Sequence, residues 1–207
     1  MANYIHETAV VHPDAKLGDD NYIGPFCTVH PGVVIGNDNR FESHCSVGSP
    51  AEKHGFFQPG GKGVVIGDRN MIREFATINE GTRRPTVMGN DCVMLRGSHL
   101  SHDSILEDKV TVSCSVLIGG ESYVMTGANL GLGSICHQYS VIGSYAMVGM
   151  GTVITKRTEI HPCKTYAGNP ARFLKMNSIG LQRSGHDAKW ASEEYDRWLK
   201  LLAWNNA

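Results

Sequence analysis

The stretch LEDKVTVSCSVLI, residues 106–118, has an apolar residue at every sixth position. The same period continues in both directions along the chain, with two interruptions. Short strands joined by tight corners are predicted, with one apolar side chain of each repeat pointing inward. The 24 repeat positions are Ile5, Val11, Leu17, Ile23, Val29, Ile35, Phe41, Val47, then Ile66, Ile72, Ile78, then Met88, Met94, Leu100, Leu106, Val112, Ile118, Val124, Leu130, Cys136, Ile142, Val148, Ile154 and Ile160.

A second register of small residues lies four positions after most of these apolar residues, as at Ala76, Cys92 and Ala128. Glycine often follows the apolar residue, which suits a corner. Three six-residue repeats make one triangular coil, so the chain is predicted to be an all-β parallel β-helix of about eight coils. Known proteins with this repeat type have a left-handed helix, and that resemblance, rather than the period, implies the hand here.

The repeats also predict the domain organisation. We expect a β-helix over residues 1–166, with loops at 48–64 and 81–86 that interrupt the period. A short helical C-terminal segment is expected over 167–207. Within it, residues 192–204 have apolar side chains on one helical face and a Ser-Glu-Glu start that is typical of a capped helix.

Composition excludes several classes of protein. The 19 Lys and Arg nearly balance the 20 Asp and Glu, which gives no reason to expect a nucleic-acid partner. No apolar run is long enough for a membrane span, and no secretory signal is evident, so a cytoplasmic protein is expected. The six cysteines are then expected to be free thiols. Four of them, Cys27, Cys45, Cys92 and Cys136, fall in the inward registers, where packing is the expected role.

The segment SHLSHD, residues 98–103, is the strongest candidate for chemistry. Because Leu100 points inward, His102 falls at or near a corner with Asp103 beside it. A histidine next to a carboxylate is a typical general base, although a structural histidine is an open alternative. His137 and Gln138 follow two coils later on the same face. The pair Gly119-Gly120 lies one coil away, where backbone N–H groups could approach an oxyanion.

Five segments resemble the acyl-carrier-protein-dependent UDP-N-acetylglucosamine O-acyltransferases that begin lipid A synthesis. Three departures stand out, namely Gly119-Gly120 in place of Gly-His, Asn79-Glu80 in place of His-Arg, and a C-terminal segment shorter than the family's helical domain. The segments are IGPFC (23–27), VIGDRNMIRE (65–74), SHLSHDS (98–104), CHQYSVIGSYAMVG (136–149) and GNPARFLKMNSIGLQRSG (168–185).

The resemblance implies a role for each matching residue. His102 would be the general base, Asp103 its orienting partner and Gly119 the oxyanion donor. Met150 lies where the family measures the acyl chain, so a short or medium chain, possibly 3-hydroxyacyl, is expected. Contacts to substrate are implied for His99, His137, Gln138, Arg73, Asn177 and Arg183.

The expected function is acyl transfer from an acyl carrier protein or CoA thioester to a nucleotide-linked sugar, as in lipid A or surface polysaccharide synthesis. No metal and no tightly bound cofactor are expected, because the thioester is a co-substrate. The partners are the nucleotide sugar and the acyl carrier protein or CoA, and the resemblance implies a homotrimer.

Three alternatives stay open from the sequence. The acceptor could be the amine of a UDP- or dTDP-linked amino sugar, which needs a weaker base than a hydroxyl does. A γ-type carbonic anhydrase uses the same fold and would need three histidines on zinc, with His99, His102 and His137 as the candidates. A non-catalytic scaffold would turn over no thioester.

Overall fold

The computed structural model describes residues 2–58 and 60–205, and it confirms an almost entirely β chain wound as a left-handed parallel β-helix. Its strands form three flat faces. Away from the insertions, each strand pairs in parallel with the strand eighteen residues further on, as His99 pairs with Leu117. The period of six therefore closes into triangular coils of three strands.

The first face holds nine parallel strands and one antiparallel strand at its end. Tyr166 lies six residues after Ile160 and is buried, so β24 begins a ninth coil beyond the eight that the period predicts. The strands of this face are β1 (Tyr4–Ile5), β4 (Tyr22–Ile23), β7 (Arg40–Phe41), β10 (Met71–Ile72), β13 (Val93–Met94), β16 (Thr111–Val112), β19 (Asn129–Leu130), β22 (Met147–Val148), β24 (Lys164–Ala167) and the antiparallel β25 (Arg172–Met176).

The second and third faces hold eight and seven parallel strands. The second face consists of β2 (Val10–Val11), β5 (Thr28–Val29), β8 (Ser46–Ser49), β11 (Thr77–Asn79), β14 (His99–Leu100), β17 (Leu117–Ile118), β20 (Ile135–Cys136) and β23 (Val153–Ile154). The third consists of β3 (Lys16–Leu17), β6 (Val33–Ile35), β9 (Val64–Ile66), β12 (Thr86–Met88), β15 (Ile105–Leu106), β18 (Tyr123–Val124) and β21 (Val141–Ile142).

The repeat residues fill the axis of the prism. From Ile23 to Ile160 they are at most 3% exposed. The predicted packing role of the inward cysteines agrees with their burial, and burial raises the pKa of the Cys136 thiol to about 12. At the corner between the third and first faces, buried Asn21, Asn39 and Asn70 bond side chain to side chain along the prism axis. This ladder satisfies polar groups that the corner would otherwise bury unpaired.

Both insertions leave the prism at the corner between the second and third faces, called here the second corner. The longer one, residues 50–63, joins β8 to β9, and the shorter one, residues 80–85, joins β11 to β12. The connection from β14 to β15, which holds His102, turns at the same corner one coil later. Two loops that are distant in sequence therefore meet the candidate site.

The C-terminal segment differs from the prediction in two respects. Arg172–Met176 is a strand, and the long helix α2 (Ala188–Asn205) begins before residue 192, where Asp187 accepts a hydrogen bond from the N–H of Trp190. A short helix, α1 (Ser178–Ser184), precedes it. Within the described chain, neither helix has the length and hydropathy needed to cross a bilayer.

Helix α2 packs against the third face of its own prism. Trp198 is fully buried there and donates its indole N–H to the carbonyl of Val141 at 3.2 Å. An ion pair between Arg197 and Glu107 also joins the helix to the prism. The predicted amphipathic face therefore has an intramolecular partner.

Candidate active site

The His102–Asp103 pair lies at the second corner and is almost entirely buried. The side-chain nitrogen Nδ1 of His102 is 2.7 Å from Oδ2 of Asp103, and the two residues are 7% and 0% exposed. An ionised carboxylate can only accept, so the imidazole donates at Nδ1 and keeps the lone pair of Nε2 free. That tautomer is the one a general base needs.

The shorter insertion holds the Asp103 carboxylate in its ionised form. The backbone N–H groups of Thr82, Arg83 and Arg84 donate to Oδ1 at 2.9, 2.7 and 3.0 Å, and the Thr82 hydroxyl donates to Oδ2 at 2.8 Å. Burial alone would raise the pKa of Asp103. The hydrogen bonds from His102 and from this insertion outweigh burial and hold the pKa well below its usual range.

Gly120, not Gly119, faces the imidazole of His102. A Cβ on Gly120 would lie 2.7 Å from both Cε1 and Nε2 of the ring. The N–H of Gly119 already donates to the carbonyl of Cys136 at 3.0 Å in the strand ladder. The N–H of Gly120 has no acceptor among residues 2–58 and 60–205. The N–H of Gly119 is thus engaged in the strand ladder, and Gly120 is the glycine of the pair that lies against the imidazole.

Gly120→Ala should lower the kcat of a reaction that uses His102 as its base about 10- to 100-fold. The new methyl group would displace the imidazole, and a small misplacement of a catalytic group greatly slows a reaction. Steady-state kinetics together with the melting temperature would measure the change. Gly133→Ala is the control, since its Cβ meets open space and only its backbone φ of 64° is strained. A wild-type kcat in Gly120→Ala would show that the ring does not need this space.

His99 lies on the second face on the same coil as His102, and His137 lies two coils further along the prism. His99 hydrogen-bonds the hydroxyl of Thr77 at 2.8 Å, and its Nε2 is 3.3 Å from the carboxylate of Glu52. Burial lowers the pKa of His99, which favours the neutral ring. The His137 side chain is exposed beside Gln138, with Nδ1 2.8 Å from the Gln138 carbonyl. The His137 side chain is thus open to solvent, whereas Nε2 of His99 is buried and both of its ring nitrogens face groups of the chain.

The outward side chains of the second face change character at His102. Thr77 and His99, on the coils before or level with it, are polar and hydrogen-bonded to each other. Leu117 and Ile135, on the next two coils, are each 44% exposed. A ligand lying along this face would therefore meet polar groups on one side of the base and apolar groups on the other.

A metal does not fit the corner. Within the described residues, one group of three possible metal ligands has its atoms within 4.8 Å of one another, namely His102, Asp103 and Glu121. The Asp103 carboxylate already accepts from Thr82 and from backbone N–H groups, and Glu121 is paired with Arg83. Cationic and N–H donors occupy the positions that a cation would need.

Comparisons with known proteins agree with the fold. Residues 14–49 match the family model described as bacterial transferase hexapeptide (six repeats). An acyl-acyl-carrier-protein UDP-N-acetylglucosamine O-acyltransferase from Gloeothece citriformis is 37% identical over 132 residues, 63% of this chain and 47% of that protein. The UDP-N-acetylglucosamine acyltransferase structure from Francisella novicida has a TM-score of 0.77 and 27% identity, covering 93% of this chain and 77% of that one. The chain resembles UDP-N-acetylglucosamine acyltransferases.

A second structure of these acyltransferases, from Campylobacter jejuni, has a TM-score of 0.74 at 25% identity, covering 93% of this chain and 82% of that one. The chain spans about half the length of the curated relatives it matches. The resemblance is therefore established over the prism, and the activity of the whole relatives is a proposal for this chain.

Four residues that the resemblance to these acyltransferases implicates lie away from the His102 corner. Arg73 and Met150 are at the corner between the first and second faces, where Arg73 pairs with Glu74 and Met150 is 74% exposed. Asn177 caps α1 and bonds the carbonyl of Tyr145, so its amide is engaged within the chain. Arg183 is exposed on α1. Within one chain, the structure does not bring these residues to the histidine.

The structure adds residues that the sequence reasoning missed, namely Thr82, Lys53 and Glu121. The coil length could have identified Glu121, since it lies eighteen residues, one coil, after Asp103. Thr82 and Lys53 belong to insertions that have no period. Their positions follow only from the folded loops.

Proposed function

We propose that this protein is an acyltransferase that moves an acyl group from a thioester to a hydroxyl of a nucleotide-linked sugar, such as UDP-N-acetylglucosamine. The observation that carries the proposal is the buried His102–Asp103 pair with Gly120 against its ring. The relatives named above are acyltransferases of this kind, which supports the same chemistry here.

The reaction follows from these groups. Nε2 of His102 takes the proton of the acceptor hydroxyl as its oxygen attacks the thioester carbonyl. The N–H of Gly120 donates to the oxyanion of the tetrahedral intermediate. Collapse breaks the C–S bond, and the leaving thiolate takes the proton from His102, giving an ester and a free thiol. Asp103 stays ionised and stabilises the imidazolium between the two proton transfers.

The polarity of the second face supports an orientation for the substrates. The sugar lies toward Thr77 and His99, which offer hydrogen bonds, and the acyl chain and the thiol arm lie toward Leu117 and Ile135, which offer apolar surface. Either an acyl carrier protein or CoA delivers the thioester in this proposal. Neither requires a resident cofactor.

A matrix of sugar nucleotides against acyl thioesters, scored by product mass and by cleavage with hydroxylamine, tests the proposal. We expect a product from a hydroxyl acceptor that hydroxylamine cleaves, as it does an ester. A hydroxylamine-resistant product from an amino sugar would replace the hydroxyl acceptor with an amine. No product with any pair would overturn the acyltransferase assignment.

A further inference from the structure

A second buried carboxylate, Glu121, lies against the His102 corner on the next coil. Glu121 is 2% exposed, and its backbone N–H donates to the carbonyl of His102 at 2.9 Å. One of its carboxylate oxygens lies within 4.8 Å of a ring nitrogen of His102 and of a carboxylate oxygen of Asp103. The imidazole is therefore flanked by two carboxylates, of which only Asp103 bonds it directly.

Cations and a hydroxyl compensate the charge of Glu121. The Tyr139 hydroxyl donates to Oε1 at 2.9 Å, Arg83 of the shorter insertion forms an ion pair with Oε2, and Nζ of Lys53 in the longer insertion is 3.9 Å from Oε1. A buried carboxylate is tolerated only when its charge is matched in this way. The Glu121 side chain thus pairs with both insertions within 4.8 Å of the histidine.

We propose that Glu121 is a positioning residue, which fastens the two insertions to the prism through Arg83 and Lys53 and sets the charge around the His102 imidazole. The shorter insertion also supplies the N–H groups that hold Asp103, so its placement determines the orientation of the base. This inference rests on the proposed function only for its effect on rate. The electrostatic effect on His102 is a property of the folded chain and can be measured without substrate.

Removing the charge of Glu121 or that of Arg83 should change the proton affinity of the His102 imidazole in a known direction. Loss of the Glu121 charge favours the neutral ring, because a nearby anion stabilises the imidazolium. Loss of the Arg83 charge favours the imidazolium. The charged and titratable groups facing the ring are Asp103 beside it, His99 on the second face, Glu121 on the next coil, Arg83 and Arg84 on the shorter insertion, and Lys53 on the longer one.

The test is an NMR titration of the His102 ring in the full chain, assigned by its loss in His102→Ala. We expect the titration midpoint to fall in Glu121→Gln and to rise in Arg83→Gln, which retains its backbone N–H to Asp103. Glu193→Gln, an exposed change on α2, is the matched control and should leave the midpoint unchanged. A merely structural role would not give shifts of opposite sign.

Equal midpoints in Glu121→Gln and wild type would overturn the proposal, whether or not acyl transfer is detected. If a substitution lowers the melting temperature too far for titration, Lys53→Gln removes only the pair at 3.9 Å and should raise the midpoint. In the acyl-transfer assay, the acid limb of the kcat/KM profile should follow the same order. Absence of any transfer in wild type would count against the proposed function and would leave the NMR result intact.

Discussion

His102→Ala should lower kcat for acyl transfer by about 100- to 10,000-fold, the range that a positioned general base contributes. Without the imidazole, no free base is left at the corner, because the Asp103 carboxylate is enclosed by donors from the shorter insertion and Glu121 is paired with Arg83 and Tyr139. KM for both substrates should change much less than kcat. Steady-state kinetics would measure both constants, with the sugar nucleotide and the acyl thioester that give a product in the substrate matrix.

The control for that substitution is His12→Ala. His12 is an exposed histidine at the second corner of the first coil, where it accepts a hydrogen bond from the N–H of Asp14. Its kcat should equal that of wild type. Near-normal turnover in His102→Ala would remove the general base from the mechanism, and it would favour an amine acceptor that attacks without one.

Asp103→Ala is the second large effect, since it should cost both stability and rate. The substitution leaves the N–H groups of Thr82, Arg83 and Arg84, the first buried and the others partly buried, without their acceptor. Breaking a buried charged network of this kind costs about 3 kcal/mol or more of unfolding free energy. The rate should also fall, because the His102 tautomer loses its partner. Urea unfolding and kcat, measured on the same preparation, would test both parts.

The pH dependence of that stability difference has a definite sign. The folded state holds the pKa of Asp103 below its ordinary value of 3.8, so the stabilising contribution is complete above that pH and is lost as the pH falls below it. The difference in unfolding free energy between wild type and Asp103→Ala should therefore be constant near neutral pH and become smaller in acid. A gap that widened on acidification would contradict the network described here.

The prism could be predicted from the sequence because its geometry repeats. The apolar residue at every sixth position identifies the core from Ile23 to Ile160. A spacing of eighteen residues identifies neighbours on adjacent coils. The same eighteen-residue spacing places Gly120, rather than Gly119, directly beside His102 on the next coil. The N–H of Gly119 is consumed by the strand ladder, a fact that the period alone does not reveal.

The insertions and the C-terminal segment could not be predicted in the same way. No period links Thr82 to Asp103 or Lys53 to Glu121, because loop contacts depend on closure of nonrepeating backbone. Arg172–Met176 pairs with β24 as an antiparallel strand, which its short apolar run does not distinguish from a helix. Local pattern determines the scaffold here, and tertiary contacts determine the surroundings of the base.

The most direct test of the account is the mass of a sugar nucleotide after incubation with an acyl thioester and the purified chain. Wild-type protein should add one acyl group to the sugar nucleotide in place of one hydrogen and release one equivalent of thiol. His102→Ala should do so at least about 100-fold more slowly. An unchanged mass with every thioester, or the same rate of acylation in His102→Ala, would contradict it.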